Sequence, residues 1–437
     1  MTASAAIRRC TLGDVADVLV SGVDKKTKPG EIPVRLCNYT DVYYNWTIRE
    51  DMRQGFMQAS AREEEIAKFR LHAGQVALTK DSETREDIGH PTFISADFED
   101  VILGYHCALI SPHDGELDGQ YLNALLCTRY AAEYFSRNAG GSGQRYYLSD
   151  SSIKDLPLFL PDFPAQQRIA ALLGSLDEKI ALNRRKIAAL EALAKLIYDR
   201  WFVEFNFPDA HGRPYKENGG KMVWNTELKQ YVPDEWVAES VADCGRFHRG
   251  VAYNRNDEIS RDSEGAISVF RGNNISGGHI VTDSNEVFIP RVQVDDSQLL
   301  HKGNVLIAMS SGSKEHVGKT GIVTSDFPPR AFGAFCVCFE PEPDRRSLIY
   351  NYFGGVAYHE YIQRICSGTG INNLKLDDFN RKVLAVPKDK SILSSFNNMA
   401  DPVFEAIAIC DQQMADLRQL RNWLLPLLMN GQVEVAG

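Results

Sequence analysis

The loop Gly318-Lys319-Thr320 carries the residue types of a phosphate-binding loop, since it follows the apolar run Val305-Leu306-Ile307-Ala308. Such a loop needs a second glycine five positions earlier and a helix directly after the motif. Here the earlier position is Ser313, and residues 321–324 have the composition of a strand. A polar β-turn is therefore favoured, and a nucleotide-binding enzyme using this loop stays as the less favoured alternative.

Other residues that could do catalytic chemistry do not occur at catalytic spacings. The 10 histidines form no HExxH or HxxxH pair, and we find no nucleophile elbow, amino-methyltransferase motif or Rossmann glycine loop. The 9 cysteines include no CxxC pair, so no zinc site is predicted, and their odd number favours a reducing cytoplasm. The sequence therefore predicts no catalytic residues, no metal ligands and no cofactor of its own.

Polar and aromatic side chains gather in loops of both halves of the chain, and their types suit DNA. Asn, Gln, Arg and Lys read base edges in the major groove, and Ser, Thr and Tyr reach phosphates. Ordinary turn chemistry also favours Asn, Gly and Ser, and it would explain any single loop without a ligand. Because the set occurs twice, we expect DNA contacts. They are Asn38, Tyr39, Tyr43, Tyr44, Lys80, Ser82, Arg85, Gln144, Arg145 and Tyr146 in the first half, and Arg271, Asn273, Asn274, Ser311, Ser313, Lys314, Lys319, Asn372, Asn373 and Lys375 in the second.

The two halves form an internal repeat. Leu71-His72-Ala73-Gly74-Gln75-Val76 returns as Leu300-His301-Lys302-Gly303-Asn304-Val305 at a shift of 229 residues. At the same shift, Gly318-Lys319-Thr320 corresponds to Gly89-His90-Pro91, which has neither the lysine nor the hydroxyl. The repeat therefore argues against a catalytic role for this loop and favours recognition of a bipartite target.

Two heptad seams predict long helices that pair with each other, because an a/d seam is typical of coiled coils. Each seam holds one strongly polar residue, Asn183 or Gln413. We expect these two to meet near the middle of an antiparallel pair and to fix its register, although each could instead be a solvated defect. The first seam follows Ile169, Leu173, Leu176, Ile180, Asn183, Ile187, Leu190, Ala194, Ile197 and Trp201, and the second follows Phe396, Met399, Val403, Ala406, Cys410, Gln413, Leu417, Leu420, Leu424 and Leu427.

These patterns predict a mixed α/β (α+β) fold class, with two recognition domains in pseudo-twofold repeat joined by an antiparallel coiled coil. We expect a first recognition domain over residues 1–161, a spacer helix over 162–205 and a connector over 206–235. A second recognition domain is expected over 236–389 and a second spacer helix over 390–437. Within the first domain, residues 121–136 are predicted to form one helix.

The net charge of −10 speaks against nucleic-acid binding, which is usually marked by a basic patch. Net charge bears on solubility more than on a local site, however, and a basic partner could supply phosphate contacts. No apolar run reaches the length of a membrane span. With the odd cysteine count and an N-terminus, Met1 to Arg9, that has no apolar signal region, a cytoplasmic protein is expected.

Several stretches around the first predicted helix identify a family. Phe163-Pro164-Ala165-Gln166-Gln167-Arg168-Ile169 and Leu176-Asp177 resemble the start of the central conserved region in the specificity (S) subunit of a Type I restriction-modification system. Arg200-Trp201-Phe202-Val203, Gly219-Gly220-Lys221-Met222-Val223 and Val232-Pro233-Asp234-Glu235-Trp236 resemble the junction into that family's second recognition domain. The resemblance covers essentially the whole chain.

The resemblance implies a DNA-binding adaptor without chemistry of its own. Two target-recognition domains would each read half of a split site in double-stranded DNA, and the helices would set the unread gap. Two modification (methyltransferase) subunits carrying S-adenosylmethionine would methylate adenine at N6, and restriction (translocase and nuclease) subunits would use ATP and Mg. From the residues alone, a coiled-coil scaffold protein without a DNA role stays open as the alternative.

Overall fold

The chain folds as two units, each of which contains a sheet domain and parts of two long helices. The first unit comprises Met1–Ala181 and Ala415–Gly437, and the second comprises Leu182–Met414. The structure is a computed structural model that describes residues 7–143, 145–281, 286–313, 316–326, 328–366 and 372–435. Among these residues, no helix combines the length and the apolar character that a membrane span requires.

The domain of the first unit is mixed α/β. Its strands are β1 (Arg8–Thr11), β2 (Ala16–Val20), β3 (Ile32–Cys37), β4 (Thr47–Ile48), β5 (Met57–Ala61), β6 (Val76–Thr79), β7 (Asp81–Ser82), β8 (Pro91–Ile94), β9 (Val101–Leu103), β10 (Cys107–Pro112), β11 (Gly140–Gly141), β12 (Tyr146–Tyr147) and β13 (Pro157–Leu160). Its helices are α1 (Leu12–Val15), α2 (Tyr39–Tyr44), α3 (Glu63–Phe69), α4 (Gly119–Leu126), α5 (Arg129–Asn138), α6 (Asp150–Lys154) and the start of the long helix α7 (Phe163–Tyr198).

The central sheet of this domain runs in the order β2-β10-β6-β8-β4. Strand β6 is buried along its whole length, because side chains alternate between two covered faces of the sheet. Val76 and Leu78 contribute to one apolar core, and Ala77 contributes to another on the opposite face. Smaller sheets, β5-β3-β9, β11-β12-β7 and β1-β13, complete the domain.

The single helix predicted over residues 121–136 is wrong, because the structure has two helices, α4 and α5, with a break between them. Thr128 has an extended backbone, and its hydroxyl accepts a hydrogen bond from the Ala131 N–H. The same Oγ1 donates to the Leu125 carbonyl over 2.7 Å. Thr128 is thus an N-cap, and the apolar periodicity on both sides concealed it.

The domain of the second unit repeats this design. Its strands are β14 (Met222–Asn225), β15 (Gln230–Pro233), β16 (Trp236–Ser240), β17 (Gly245–Arg249), β18 (Ala266–Phe270), β19 (Ile275–Ser276), β20 (His279–Ile280), β21 (Val287–Pro290), β22 (Val305–Ala308), β23 (Ser310–Ser311), β24 (Thr320–Ile322), β25 (Arg330–Phe332), β26 (Cys336–Pro341), β27 (Asn372–Asn373) and β28 (Val383–Pro387). Its helices are α8 (Arg346–Gly354), α9 (Val356–Ile365), α10 (Leu376–Asn380) and the long helix α11 (Lys390–Met429).

The strand orders show that the two domains share one topology. The larger sheet of the second domain runs β17-β26-β22-β24-β20-β19, and β21-β18-β25 and β16-β28 lie beside it. Strands β6 and β22 begin at Val76 and Val305, and β10 and β26 begin at Cys107 and Cys336, so the shift is 229 in both cases. The predicted repeat is therefore a repeat of structure as well as of sequence.

The long helices begin and end at local signals that the sequence shows. Asp162 caps α7, since its Oδ1 accepts the Ala165 N–H over 2.8 Å. After Tyr198, α7 continues as a π-helical turn over Asp199–Val203. Helix α11 ends at Met429, and Gly431 follows at a φ of 66°, the left-handed conformation that glycine adopts readily at a helix end.

Within each unit the two helices run antiparallel, as predicted. In the first unit, Leu173 of α7 packs with Leu425 and Leu428 of α11. In the second unit, the rings of Trp201 and Phe396 lie 5.7 Å apart. Residues early in one helix therefore meet residues late in the other.

The predicted seam of α7 is confirmed, and that of α11 is partly wrong. Leu173, Ile180, Asn183, Ile187 and Ala194 of α7 are all buried. On α11, Met399, Gln413 and Leu420 are exposed instead. The buried line includes Phe396, Ala400, Val403, Ile407, Cys410 and Met414. Apolar residues are adjacent in the sequence at 399–400 and 406–407. The apolar pattern alone therefore could not tell which residue of each pair is buried. A heptad template also drifts by about 20° per repeat on a straight helix.

Candidate nucleic-acid interface

In the first domain, the small sheet β11-β12-β7 brings two of the predicted loops together. Ser82 pairs with Tyr146 in this sheet, and Asp81 pairs with Tyr147. The guanidinium of Arg85 lies 5.2 Å from the centre of the Tyr146 ring. Predicted contact residues that are distant in sequence therefore form one surface, on which Arg85 and Arg145 are exposed.

The ammonium group of Lys80 on this surface is paired with a neighbouring carboxylate. Its Nζ lies 2.8 Å from Oδ2 of Asp81, and His106 Nδ1 lies 2.6 Å from the same oxygen. A lysine that is already paired contributes less to long-range attraction of DNA than an unpaired one. Hydrogen bonding is therefore the contribution that we expect from this cluster.

Helix α2 carries three of the predicted contact tyrosines. Tyr43 donates its hydroxyl proton to Asp87 Oδ1 over 2.9 Å, and His90 Nε2 lies 2.7 Å from that oxygen. Burial and this hydrogen bond raise the pKa of Tyr43, and burial raises the pKa of Tyr39 to about 12. Both phenols are therefore protonated at neutral pH. Tyr44 is exposed, whereas Asn38 is buried as the N-cap of α2.

In the second domain, β23 and β27 occupy the place of β7 and β12. Ser311 pairs with Asn372, and Ser310 pairs with Asn373. Of the predicted contact residues near this sheet, Asn373 and Lys375 are exposed, and the Ser313 N–H donates to Ser311 Oγ over 3.2 Å. Gln144 and Lys314 lie outside the described residues, as does the side chain of Asn372.

The predicted contact loop at residues 271–274 contains a structural asparagine. Asn274 is buried, its Oδ1 accepts the Arg271 N–H over 3.0 Å, and its Nδ2 donates to the Val281 carbonyl over 3.1 Å. These bonds hold the turn after β18. Asn274 thus shapes the loop from within, and its neighbours Arg271 and Asn273 have further interactions of their own.

The Gly318-Lys319-Thr320 loop is a turn between strands, as the sequence predicted. Gly318 has a φ of 75°, and a Cβ at this position would lie 2.7 Å from Ile362 Cγ2. The Ala308 N–H donates to the Lys319 carbonyl over 2.9 Å, and β24 begins at Thr320. A strand stands where a phosphate-binding loop requires a helix, which disfavours the nucleotide-binding alternative.

The sequence patterns missed the polar side chains that attach the domains to the helices. In the first unit, Arg49 forms an ion pair with Asp177 of α7. Arg421 of α11 lies 3.6 Å from the same carboxylate, and its guanidinium lies 4.0 Å from the centre of the Trp46 ring. Asp177 belongs to the stretch quoted for the family resemblance, but its partners are distant in sequence.

Gln166 was also missed as a structural link of the first unit. Its Oε1 accepts the Asp118 N–H, and its Nε2 donates to the carbonyls of Glu116 and Pro161, each over 3.1 Å. The side chain is buried and fully used by backbone groups. Gln166 therefore ties the loop before α4 to the first turn of α7.

In the second unit, His279 of β20 bridges both helices. Its Nδ1 lies 2.9 Å from Asp411 Oδ2 on α11, and its Nε2 lies 3.0 Å from Glu191 Oε1 on α7. The hydrogen bond with Asp411, and then that with Glu191, raise the pKa of His279 to about 10 against the desolvating effect of burial. His279 is therefore an imidazolium at neutral pH.

Comparison with known proteins agrees with this architecture. Residues 9–192 match the family described as the Type I restriction modification DNA specificity domain. The Type I restriction enzyme MjaIX specificity subunit of Methanocaldococcus jannaschii is 23% identical over 93% of this chain and 87% of its own length. The EcoKI specificity subunit of Escherichia coli K12 is 30% identical over 46% of this chain and 44% of its own length. The chain is similar to Type I restriction-modification specificity subunits over most of its length.

This similarity confirms the predicted resemblance and the prediction of a specificity subunit rather than a catalytic one. The fold agrees as well. The solved S subunit of a Type I restriction-modification system from M. genitalium aligns over 97% of this chain and 96% of its own, with a TM-score of 0.50 at 14% identity. The mixed α/β domains and the two long helices thus have the fold of that solved S subunit.

Replacing His279 with Asn should destabilise the second unit at neutral pH, by about 2 kcal/mol, because it removes a charge-assisted bridge. The pKa of His279 is raised on folding. The contribution of His279 to the free energy of unfolding is therefore fully present below the unfolded pKa of 6.5, and it is lost as the pH rises through about 10. Calorimetric Tm values measured at several pH values should show a difference between parent and variant that shrinks over this interval. A difference that stays constant would contradict the assignment.

Proposed function

We propose that the chain is the sequence-specific DNA-binding adaptor of a Type I restriction-modification complex, reading a bipartite site. The observation that carries the proposal is the doubled topology, in which each domain pairs two polar loops at the same place, β7 with β12 and β23 with β27. Similarity to Type I specificity subunits supports it. Each domain would read one half-site, with the predicted loop residues as its contacts.

The pairing of strands β16 and β28 supports treating the second domain as an exchangeable module. Trp236 pairs with Pro387, and Ser240 pairs with Val383, so the chain enters and leaves the domain along one strand pair. A segment whose two ends lie together can be replaced with little disturbance of its surroundings. This supports the proposed domain bounds at residues 236–389.

Exchanging residues 237–388 for the matching segment of another specificity subunit should therefore change one half-site only. Methylome sequencing of cells that carry the modification subunits measures this. We expect bipartite adenine methylation with the parent chain and none without it. The exchanged chain should give one new half-site and one unchanged half-site at the same gap. A change in both half-sites would contradict modular recognition.

The two helices would act as the spacer, and Asn183 and Gln413 would fix their register. Asn183 Nδ2 donates to Gln413 Oε1 over 3.1 Å, and Asn183 is buried. A slip of the helices would leave a buried amide without this partner, which costs about 1–3 kcal/mol. The two polar side chains therefore favour one alignment of the otherwise apolar seam.

Removing one heptad from each helix, residues 180–186 and 413–419, should shorten the recognised gap and leave both half-sites unchanged. These segments face each other, because Asn183 contacts Gln413 and Asp177 contacts Arg421. Seven helical residues span about 10 Å, which corresponds to about 3 base pairs. Methylome sequencing reads the gap directly, and a deletion of residues 210–212, which are exposed in the connector, is the control. Methylation at the original gap would refute the spacer.

Exposed apolar side chains on the helices support docking of two modification subunits. In the second unit, Leu193, Leu196 and Val203 of the first helix are exposed, Leu196 to 66%. In the first unit, Trp423 is 62% exposed and Val433 is also exposed. The repeat shift of 230 residues relates Leu193 to Trp423 and Val203 to Val433. Two equivalent apolar patches suit two copies of one partner.

Replacing Leu193 or Trp423 with Glu should each remove one modification subunit, since a buried unpaired carboxylate opposes association. The double variant should bind at least about tenfold more weakly. Native mass spectrometry of the chain with its modification subunits gives the stoichiometry. Val292→Glu is the matched control, because Val292 is 94% exposed and lies in the 3₁₀ turn Arg291–Gln293, outside α7 and α11. Unaltered stoichiometry in the double variant would exclude these patches.

A further inference from the structure

A tight hairpin presents His279 to the helices of the second unit. Strands β19 and β20 are joined by Gly277 and Gly278, whose φ angles are 57° and 83°. Positive φ at both positions is the geometry of a two-residue hairpin turn that side chains with a Cβ tolerate poorly. His279 follows immediately and pairs with Ser276 across the turn. The glycines thus set the position from which the imidazole reaches the helices.

The imidazole contacts one carboxylate on each helix. The side chain of His279 is 21% exposed and that of Asp411 is 16% exposed, so the bond between them is shielded from solvent. Glu191 is more exposed, at 45%. A planar ring with two opposed N–H donors spans two acceptors in one fixed orientation, which a flexible ammonium does not impose.

A second attachment of the same domain lies towards the start of α11. Phe396 and Ala400 are buried in the large apolar core of this unit. The rings of Tyr350 and Phe404 lie 4.9 Å apart, and Ser347 donates to Asp401. This apolar attachment does not involve His279. Loss of the His279 bridge would therefore leave the domain folded and attached, but held along a shorter length of helix.

We propose that His279 is a positioning residue that fixes the orientation of the second recognition domain on the helix pair and thereby the gap length that the protein accepts. The inference rests on the proposed function. It deepens that function by assigning gap selectivity to a contact that lies away from the polar recognition loops.

The first unit has a different charged attachment at the equivalent strand. Thr47 of β4 pairs with Phe93, and His279 of β20 pairs with Ile322, and the two partners are related by the shift of 229. Trp46 and Arg49, which flank β4, contact Arg421 and Asp177 of the helices. Arg421 and Glu191 are themselves related by the shift of 230. Both domains therefore meet the helices through a polar contact at the same strand, with different chemistry.

The test measures methylation of duplexes that hold both half-sites at the native gap, one base pair shorter and one base pair longer. The parent, His279→Asn, His279→Lys and Lys302→Ser are each assembled with the modification subunits. Lys302→Ser is the matched control, because it removes an exposed ion pair with Glu405 on the same helix, at 2.9 Å. The half-sites are those found by methylome sequencing of the parent.

We expect His279→Asn to reduce the preference for the native gap by at least about tenfold, as a small displacement of reacting groups has large kinetic effects. Selectivity for the bases of each half-site should be unchanged. Lys302→Ser should behave as the parent, and His279→Lys should recover part of the gap preference. A purely structural role would lower the rates on all three gaps by one factor.

Glu191→Gln provides a second variant that keeps His279 and Asp411, in case His279→Asn does not fold. It should relax the gap preference in the same direction. Native gap selectivity in soluble His279→Asn, or in Glu191→Gln, would overturn the inference while leaving the proposed function intact. Absence of bipartite methylation by the parent complex would instead refute the proposed function itself.

Discussion

The constraint on which the structure depends is that neither long helix can cover its own apolar seam. In the first unit, Leu173 of α7 is fully buried against Leu425 and Leu428, which lie about 250 residues later in the chain. In the second unit, Phe396 packs against Trp201 and Phe202. Each unit is therefore closed by residues from distant parts of the sequence. A chain shortened at the end of α11 would expose the seam of the first unit, although its own domain would be complete.

Polar contacts then determine how each domain is held on this apolar pair. Hydrophobic packing is not directional, so a seam of Leu, Ile and Ala tolerates small rotations and slips. The Asn183–Gln413 hydrogen bond, the Asp177 ion pairs and the His279 bridge are directional, because each needs a particular distance and angle. Burying these groups is costly when one partner is absent. The apolar seam thus supplies most of the stability, and the few polar contacts restrict the geometry.

The sequence predicted those parts of the fold that depend on local patterns or on the repeat. The mixed α/β class, the antiparallel pairing and the Asn183–Gln413 contact follow from heptads and from matched segments. Thr128 and the true seam of α11 were missed because apolar residues stood at both of the competing positions. His279, Trp46 and Arg421 were missed for a different reason. Their partners are set by the tertiary fold, and neither spacing nor composition links them to Glu191, Asp177 or Asp411.

The predicted contact loops show the same difference between what a local pattern predicts and what the tertiary fold decides. Asn38 and Asn274 were predicted to contact DNA because asparagine reads bases, yet both are buried at turns. Asn38 is the N-cap of α2, and Asn274 hydrogen-bonds to the backbone within the turn after β18. Asparagine suits either task, and only burial separates them. Tyr44, Arg85, Arg145, Asn373 and Lys375, by contrast, are exposed in the structure. They remain predicted contacts, and Arg85, Arg145, Asn373 and Lys375 lie in or beside the strand pairs β7–β12 and β23–β27.

The acidic character of the chain fits an adaptor better than an independent DNA-binding protein. Near the first set of loops, Asp81 is paired with Lys80 and His106, and Asp87 accepts from Tyr43 and contacts His90. These carboxylates are occupied by donors, so they oppose a phosphate backbone less than the net charge of −10 suggests. The paired cations, for the same reason, attract it less. A surface balanced in this way contributes hydrogen bonds and shape, which carry specificity. On the proposed function, phosphate contacts made by partner subunits would supply part of the affinity for the duplex.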